Sequence, residues 1–253
     1  MRNDEQLSGR RMVVSGASSG IGAAICRAVV AQGASVVMFA RREALLRDME
    51  RELGPRAVGV SVDVTHLDAL STAVQRAAEH LGGIDTVVAA AGQSMTGSIA
   101  TGTPERWREL VDLNLLAPLV LVRRALAHFP PSGRRDVVLV GSSIALTPFT
   151  GTAIYSASKR GLQGAFDVLR LELAPMGINV GHVMPGFFAT ETAGGSGTVF
   201  DGEMPPLDIP LFAEGGAPAD PAVLGETVAY MLGLPDGVCI NEIVVRPTMQ
   251  LNP

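Results

Sequence analysis

The sequence predicts an α/β fold with a doubly wound, mainly parallel sheet of seven strands and helices on both faces. Short runs of almost uninterrupted apolar residues alternate with segments in which apolar residues recur at helical spacing. Strands without a polar side are typical of a parallel sheet that is buried on both faces. A glycine-rich turn also separates the first apolar run from the first helical segment.

Each predicted strand is a short apolar run that ends at turn-forming residues. The seven runs are 12–14, 36–39, 58–62, 84–89, 137–140, 178–183 and 240–245. Helical spacing predicts helices at 21–29, 45–53 and 70–81. A long fourth helix is expected after Thr103, a good N-cap that precedes Pro104. Asp220 and Pro221 start a late helix that runs through Met231.

The alternation continues without a linker, repeat or low-complexity segment before residue 190. We therefore expect residues 1–253 to form a single domain. The stretch at about 191–219 is different, because it is rich in Gly and Pro and lacks clear periodicity. Long irregular loops in compact domains are usually lids or binding loops, so a substrate loop is predicted here. A tolerated surface insertion is the alternative.

Composition argues against several classes of protein. The chain is 47% hydrophobic and 18% charged, which is a globular composition. Its net charge is −5 and it has no basic run, which argues against nucleic acid or an anionic membrane as a partner. It has no bilayer-length apolar stretch and its first residues do not resemble a signal peptide, so a cytoplasmic location is expected. Cys26 and Cys239 lack metal-ligand spacing, so no zinc site or disulfide framework is indicated.

The glycine-rich turn gives the first indication of function. It reads Ser15-Gly16-Ala17-Ser18-Ser19-Gly20-Ile21-Gly22 between the first strand and the first helix. Glycines there let the backbone approach a pyrophosphate, and the helix N-terminus offers N–H groups and a positive dipole end. Glycines alone are equally compatible with a structural turn, but the strand–turn–helix placement favours a dinucleotide site in a Rossmann fold.

The G-x-x-x-G-x-G spacing resembles the short-chain dehydrogenase/reductase family in its short, single-domain form. Further family motifs follow in order over nearly the whole chain: Asp63-Val64 for the adenine, Ala91-Gly92 as the end of N-N-A-G, Asn114, Tyr155-Ser156-Ala157-Ser158-Lys159 as Y-x-x-x-K, and Pro185-Gly186 beside the nicotinamide. The resemblance implies an oxidoreductase that moves a hydride between a nicotinamide and a small-molecule carbonyl or secondary alcohol.

The end of the second strand indicates which nicotinamide cofactor is used. An acidic residue there would bind the ribose 2′-OH of NAD, whereas a 2′-phosphate requires a cation. The sequence reads Phe39-Ala40-Arg41-Arg42, without an acid. The resemblance implies that Arg41 contacts the 2′-phosphate and that Arg42 assists, so NADP(H) is expected over NAD(H). The alternative is that the two arginines belong only to a solvated helix start. The resemblance implies these cofactor contacts: Gly16, Ser18, Ser19, Gly20, Ile21, Gly22, Arg41, Arg42, Asp63, Val64, Ala91, Gly92, Tyr155, Lys159, Pro185, Gly186, Phe188 and Thr190.

Tyr155 and Lys159 stand four residues apart in a predicted helix, so both side chains emerge on one face. A free tyrosine has a pKa of about 10 and is a poor base near neutral pH. A nearby ammonium and a positive nicotinamide ring would favour the phenolate. We therefore expect Tyr155 to be the acid in reduction and the base in oxidation. Lys159 is expected to lower its pKa and hold the nicotinamide ribose.

A serine that hydrogen-bonds the substrate oxygen is expected after the fifth strand, where two serines compete. Ser143 fits the family's S-S-x-A-G pattern but lies twelve residues before Tyr155, where thirteen is usual. Ser142 has the usual spacing. We favour Ser143, which requires a one-residue deletion in the loop.

For Asn114 the resemblance implies a water-mediated relay to Lys159, and the alternative is a hydrogen-bonded core amide.

Three departures from the family pattern affect these expectations. The N-N-A-G motif appears as Ala89-Ala90-Ala91-Gly92, so its asparagine contacts are lost. Ser15 replaces a threonine and keeps a hydroxyl. Leu146 replaces the glycine after the serine motif, where it can reshape the substrate pocket.

The leading hypothesis is a reductase or dehydrogenase that acts on a largely uncharged substrate. Residues 95–102 and the loop after Thr190 are expected to line the pocket, and they are apolar, small or weakly acidic. The runner-up is a catalytically weak dinucleotide-binding sensor or scaffold, which would not need the intact Ser, Tyr, Lys and Asn set. An epimerase or dehydratase of the family's longer branch would need a larger C-terminal domain. The resemblance also implies a homodimer or homotetramer, with which Trp107 and Leu110 are compatible, as they are with core burial.

Overall fold

A computed structural model describes residues 6–147, 149–190, 198–203 and 210–252. Its strands are β1 Arg11–Ser15, β2 Ser35–Ala40, β3 Ala57–Ser61, β4 Thr86–Ala89, β5 Met95–Thr96, β6 Asp136–Val140, β7 Asn179–Pro185, β8 Val199–Phe200 and β9 Glu242–Val245. Seven of them form one parallel sheet in the order β3-β2-β1-β4-β6-β7-β9, while β5 pairs with β8. The predicted doubly wound parallel fold is confirmed.

Helices connect the strands and cover both faces of the sheet. They are α1 Gly20–Ala31, α2 Glu43–Leu53, α3 Leu67–Leu81, α4 Pro104–Val111, α5 Ala117–Ala125, α6 Ala153–Leu173 and α7 Ala222–Leu232. A π-helical turn at Asp112–Leu116 joins α4 to α5, so the long helix predicted after Thr103 is interrupted. The Asp220 carboxylate accepts the Ala222 N–H at 2.8 Å and caps α7. In the part of the chain that the structure describes, no helix is long and apolar enough to cross a membrane.

Two hydrophobic clusters lie on opposite faces of the sheet, which explains why its strands have no polar side. Along β1, Met12 and Val14 belong to one cluster and Val13 to the other, and all three side chains are fully buried. The first cluster includes residues of α1, α2 and α7, and the second includes residues of α3, α5 and α6. Burial on both faces fixes the strand register on which the loops at the sheet edge depend.

Because the strands are parallel, the loops that follow their carboxyl ends lie along one edge of the sheet. The strand order reverses at β1 and β4, and α/β folds bind ligands in the crevice at such a switch point. Of the substrate loop predicted at about 191–219, residues 191–197 and 204–209 lie outside the described residues. Residues 198–203 are described and lie beside this edge, where β8 pairs with β5.

Candidate active site

A cavity of about 750 Å³ lies at the carboxyl edge of the sheet. Every site residue predicted from the sequence lines it except Asn114. These lining residues are Gly16, Ser18, Ser19, Gly20, Ile21, Gly22, Arg41, Arg42, Asp63, Val64, Ala91, Gly92, Ser143, Tyr155, Lys159, Pro185, Gly186, Phe188 and Thr190. The fold therefore brings motifs that are far apart in sequence to a single place.

Glycines in the turn bring its backbone close to the neighbouring chain at the cavity. Gly16 has a φ of +69°, and a Cβ there would lie 2.8 Å from the Ala91 Cα. A Cβ on Gly22 would lie 2.3 Å from the Gly16 carbonyl oxygen. Ser19 makes no side-chain capping hydrogen bond to α1. A turn this tight, before an uncapped helix N-terminus, fits the pyrophosphate of a dinucleotide.

Ser15 holds the turn to the neighbouring loop. Its Oγ accepts the Ala90 N–H at 3.1 Å and the Ala91 N–H at 3.2 Å. These bonds fix the segment in which the N-N-A-G asparagines are missing. The hydroxyl that Ser15 shares with the usual threonine therefore has a direct structural role here.

Two guanidinium groups lie at one end of the cavity. Arg42 donates hydrogen bonds to Ser18 Oγ and Ser19 Oγ, while the exposed Arg41 places Nη1 3.9 Å from Asp63 Oδ2. Burial raises the pKa of Asp63. Hydrogen bonds from Thr65 and the Arg41 charge lower it by more, so the pKa lies below its ordinary value. Guanidinium and hydroxyl donors together are suited to a phosphate group.

Tyr155 and Lys159 lie at the other end, on one face of α6. The Ser142 side chain lies close enough to the Tyr155 hydroxyl to lower its pKa by hydrogen bonding. Ser142 Oγ also accepts the Ile144 N–H at 3.3 Å at the start of a short 3-10 turn. Ser143 Oγ is buried without a hydrogen-bond partner among the described residues. Both serines line the cavity, and Ser142, which has the usual spacing of thirteen, is the one that interacts with Tyr155.

Burial dominates the titration of this pair. It lowers the pKa of Lys159 to about 8, and the Lys159 Nζ donates to the Val140 carbonyl oxygen at 3.1 Å. Burial also raises the pKa of Tyr155, and the hydrogen bond with Ser142 only partly opposes the rise. The sequence-based expectation of a lowered Tyr155 pKa differs from this geometry, because desolvation of the phenolate is the larger effect.

Asn114 lies one layer behind the cavity wall, in the π-helical turn, and is fully buried. Its Nδ2 donates to the Gln93 carbonyl oxygen at 2.9 Å and to Ser158 Oγ at 3.2 Å, and its Oδ1 accepts the Gln93 N–H at 2.9 Å. A Cβ on Gly92 would lie 3.1 Å from Asn114 Oδ1 and 3.3 Å from Lys159 Nζ. Asn114 thus fixes the loop after β4 against α6, and the π-turn, a feature common at functional sites, places it there.

The turn after β7 closes the cavity opposite α6. The Gly186 N–H donates to the Val245 carbonyl oxygen at 2.8 Å, and the Phe187 N–H donates to Gln250 Oε1 at 2.8 Å. The Thr190 side chain lies against Gly20, where a Cβ would be 3.1 Å from the threonine Cβ and Cγ2. The predicted nicotinamide segment therefore meets the glycine-rich turn.

Several further lining residues belong to no sequence motif and come together only in the folded chain. They are Gln93, Ser94, Phe149, Thr152 and Phe187, whereas Thr96, Thr198, Phe200 and Leu211 belong to the two segments, 95–102 and the loop after Thr190, that were expected to line the pocket. All carry aromatic, aliphatic, hydroxyl or amide side chains. Among the described residues, the charged side chains in the lining are Arg41, Arg42, Asp63 and Lys159. The described part of the chain contains no cluster of His, Cys, Asp and Glu that could hold a metal ion.

Comparisons with known proteins agree with this geometry. The family model described as short chain dehydrogenase matches residues 10–198. An uncharacterized oxidoreductase of Staphylococcus epidermidis is 32% identical, over 93% of this chain and 96% of that protein. A glycine betaine reductase of Emericella nidulans is 34% identical over 95% of this chain, which corresponds to only 19% of that much longer protein.

A solved structure shows the same fold with a cofactor bound. A metagenomic short-chain oxidoreductase in complex with NADP is 30% identical and superposes with a TM-score of 0.79, over 97% of this chain and all of that one. The chain belongs to the short-chain dehydrogenase/reductase family of oxidoreductases, whose members bind a nicotinamide cofactor.

Proposed function

We propose that this protein is an NADP(H)-dependent oxidoreductase that interconverts a carbonyl group and a secondary or primary alcohol in a small, largely uncharged substrate. The observation that carries the proposal is the arrangement of the cavity. Two arginines and two serines lie at one end, and Tyr155, Ser142 and Lys159 lie at the other. Family membership and the NADP complex of a relative support a nicotinamide cofactor.

The preference for NADP(H) rests on charge at the end of β2. The strand ends at Ala40 and is followed by Arg41 and Arg42, with no acidic residue in the position that would bind a ribose 2′-OH. Arg41 is exposed, and Asp63 is its neighbour at 3.9 Å, so its guanidinium is accessible to a phosphate. In this proposal Arg41 binds the 2′-phosphate, and Arg42 and the hydroxyls of Ser18 and Ser19 complete the contact.

The catalytic roles follow from the groups at the opposite end. When bound, a reduced nicotinamide supplies the hydride for the carbonyl carbon. Tyr155 donates its phenolic proton to the carbonyl oxygen, and its raised pKa keeps the phenol protonated for that role. Ser142 hydrogen-bonds the same oxygen and stabilises the charge that develops there. We therefore assign to Ser142 the role that the sequence pattern gave to Ser143.

The character of the substrate is inferred from the lining beyond Tyr155. Phe149, Phe200 and Leu211 supply apolar surface, and Ser94 and Thr198 supply hydroxyls. No described side chain in this part of the lining carries a charge that would pair with a carboxylate or phosphate. Neutral aldehydes and ketones with an apolar or aromatic body are therefore the proposed substrates.

We also propose that the chain assembles as a homodimer or homotetramer. The side chains of Val168 and Leu171 on α6 are 53% and 63% exposed, which leaves an apolar face on that helix. Leu110, by contrast, is buried within the chain, and the Trp107 indole N–H is hydrogen-bonded to Asp201, so neither residue forms part of this face. Light scattering on the purified protein tests the assembly, and a monomer at micromolar concentration would contradict it.

The test of the activity is loss of nicotinamide absorbance when NADPH is mixed with a panel of neutral aldehydes and ketones. Tyr155→Phe should abolish turnover and leave NADPH binding unchanged. Tyr230→Phe is the matched control, because Tyr230 is the other tyrosine of the chain and is exposed on α7. NADPH binding by wild type without turnover of any carbonyl would favour the sensor or scaffold hypothesis. Full activity of Tyr155→Phe would overturn the catalytic assignment.

A further inference from the structure

Asp201 lies directly after β8, next to the substrate end of the cavity, and is 3% exposed. Its Oδ2 accepts the Thr103 backbone N–H at 2.7 Å and the Trp107 Nε1–H at 2.9 Å. Thr103 is the N-cap of α4, and Trp107 lies one turn into the helix. Arg106 adds a third contact, with Nη1 3.8 Å from Asp201 Oδ1 and 3.3 Å from the Phe200 carbonyl oxygen. A single buried carboxylate therefore joins the segment 198–203 to the start of α4.

The backbone around Asp201 is shaped for this contact. A Cβ on Gly97 would lie 1.7 Å from the Asp201 carbonyl oxygen, and a Cβ on Gly202 would lie 2.5 Å from Thr101 Oγ1. Gly102 lies under the Trp107 indole, where a Cβ would be 2.8 Å from Nε1. The segment 198–203 thus packs on residues 97–102 at distances that only glycine permits.

The anchored segment forms part of the cavity wall. Thr198 and Phe200 line the cavity, and the hydroxyls of Thr198 and Ser94 are hydrogen-bonded at 3.0 Å. The Gly97 N–H donates to the Gly151 carbonyl oxygen at 2.8 Å, which connects this wall to the turn just before α6. Asp201 therefore lies in the same short segment as Thr198 and Phe200, which line the cavity together with Tyr155.

We propose that Asp201 is a positioning residue for substrate binding, because its contact with Thr103 and Trp107 fixes the wall formed by Thr198 and Phe200. The inference rests on the proposed function for the nature of the molecule that the wall contacts. Neither Asp201 nor Trp107 touches the nucleotide end of the cavity, so the effect is confined to the substrate.

The charge of Asp201 agrees with this role. The Thr103 backbone N–H holds the pKa of the Asp201 carboxyl below its ordinary value, with further help from Trp107 and Arg106, although burial opposes them. The group therefore stays ionised near neutral pH and acts as a charged acceptor for both N–H groups, which strengthens each hydrogen bond.

Trp107 is the only tryptophan in the chain, so its fluorescence reports the contact directly. Asp201→Ala should shift the emission to longer wavelength and increase quenching by acrylamide. Asp201→Asn should retain most of the wild-type emission, because one amide oxygen can accept both N–H groups as Oδ2 does. Glu203→Ala is the matched control, since Glu203 is exposed on the same segment and contacts the described residues through its backbone. An unshifted Asp201→Ala spectrum from a folded protein would overturn the proposal.

Kinetics then separate positioning from a general structural role. Asp201→Ala should raise the KM for a neutral carbonyl substrate about 10-fold, with kcat within about 2-fold and NADPH affinity unchanged, as expected for a lost charged hydrogen bond outside the reacting centre. Asp201→Asn and Trp107→Phe should show smaller increases. Equal loss of NADPH affinity and kcat would overturn the proposal. If wild type turns over no carbonyl, the proposed function fails. The Trp107 fluorescence spectra and the NADPH affinities of the variants then still decide whether Asp201 anchors the wall.

Discussion

The Ser142 side chain interacts with the Tyr155 hydroxyl closely enough to lower its pKa, whereas Ser143 Oγ is buried one residue away without a hydrogen-bond partner among the described residues. The two serines are adjacent in sequence but differ in what they can do. Both line the cavity, and Ser142 is the one whose side chain interacts with the Tyr155 hydroxyl. The serine at the thirteen-residue spacing is therefore the one that interacts with Tyr155, which is why we propose the catalytic role for Ser142.

Ser142→Ala should lower kcat about 10²-fold, with little change in NADPH affinity, because it removes a donor to the developing oxyanion. Ser143→Ala is the matched control and should lower kcat several-fold at most. Initial rates at saturating NADPH give both values. A larger loss in Ser143→Ala than in Ser142→Ala would return the role to the serine that the motif favoured.

The pH dependence of reduction should report Lys159. Its pKa is lowered to about 8 by burial, so the amine is protonated below that pH and neutral above it. Because the raised pKa of Tyr155 keeps the phenol protonated, we expect reductive kcat/KM to fall as pH rises through about 8. Lys159→Met should have a lower kcat/KM at every pH and should lack this alkaline limb of the pH profile. A limb at the same pH in Lys159→Met would show that another group titrates.

Acid stability should depend on His182, which is fully buried in β7 and stacks on Phe166 with ring centroids 5.0 Å apart. Burial, together with the Lys159 charge, lowers the pKa of His182 from 6.5 to about 4. The unfolded chain therefore binds a proton that the folded chain does not between these values, so stability falls as pH falls from 6.5 to 4. The loss is about 3 kcal/mol by linkage.

Urea unfolding of wild type and His182→Phe at several pH values measures this effect. The His182→Phe variant should lose less stability than wild type between pH 6.5 and 4. His80→Gln, at an exposed position of α3, is the control and should follow wild type. Parallel pH dependence in wild type and His182→Phe would mean that His182 is not the titrating group.

The glycine-rich turn should not tolerate a side chain at Gly22. A Cβ there would lie 2.3 Å from the Gly16 carbonyl oxygen, which cannot move without opening the turn. Gly22→Ala should destabilise the protein by about 1–3 kcal/mol and weaken NADPH binding. Gly164→Ala is a suitable control, because a Cβ on this α6 glycine would meet nothing within 4 Å. Unchanged thermal stability and NADPH affinity in Gly22→Ala would refute the close approach.

The sequence predicts what depends on local pattern. Apolar alternation identified the seven sheet strands, and the motif residues Gly16, Tyr155 and Lys159 line the same cavity as expected from their order. What it could not predict depends on contacts between distant segments. The bond between Asp201 and Trp107 joins residues 94 positions apart, and no pattern in either segment indicates it.

Two further differences have physical causes that a sequence pattern cannot express. The π-turn that carries Asn114 has the same apolar spacing as an ordinary helix. The interaction of Ser142 rather than Ser143 with Tyr155 depends on how the chain turns after β6, which leaves Ser143 Oγ without a hydrogen-bond partner among the described residues. Both differences concern the direction in which a side chain points rather than the element to which it belongs.

The central claim is that the cavity binds NADP(H) through Arg41 and Arg42, and titration with NADPH and NADH, followed by nicotinamide fluorescence, tests it most directly. Wild type should bind NADPH more tightly, and Arg41→Ala should lose at least about 10-fold in NADPH affinity with little change for NADH, because a phosphate–guanidinium contact is lost. Arg42→Ala should show a smaller loss. Arg47→Ala, which removes an exposed arginine of α2 paired with Glu43, should bind as wild type does. Tighter NADH binding that is indifferent to Arg41→Ala would contradict the claim.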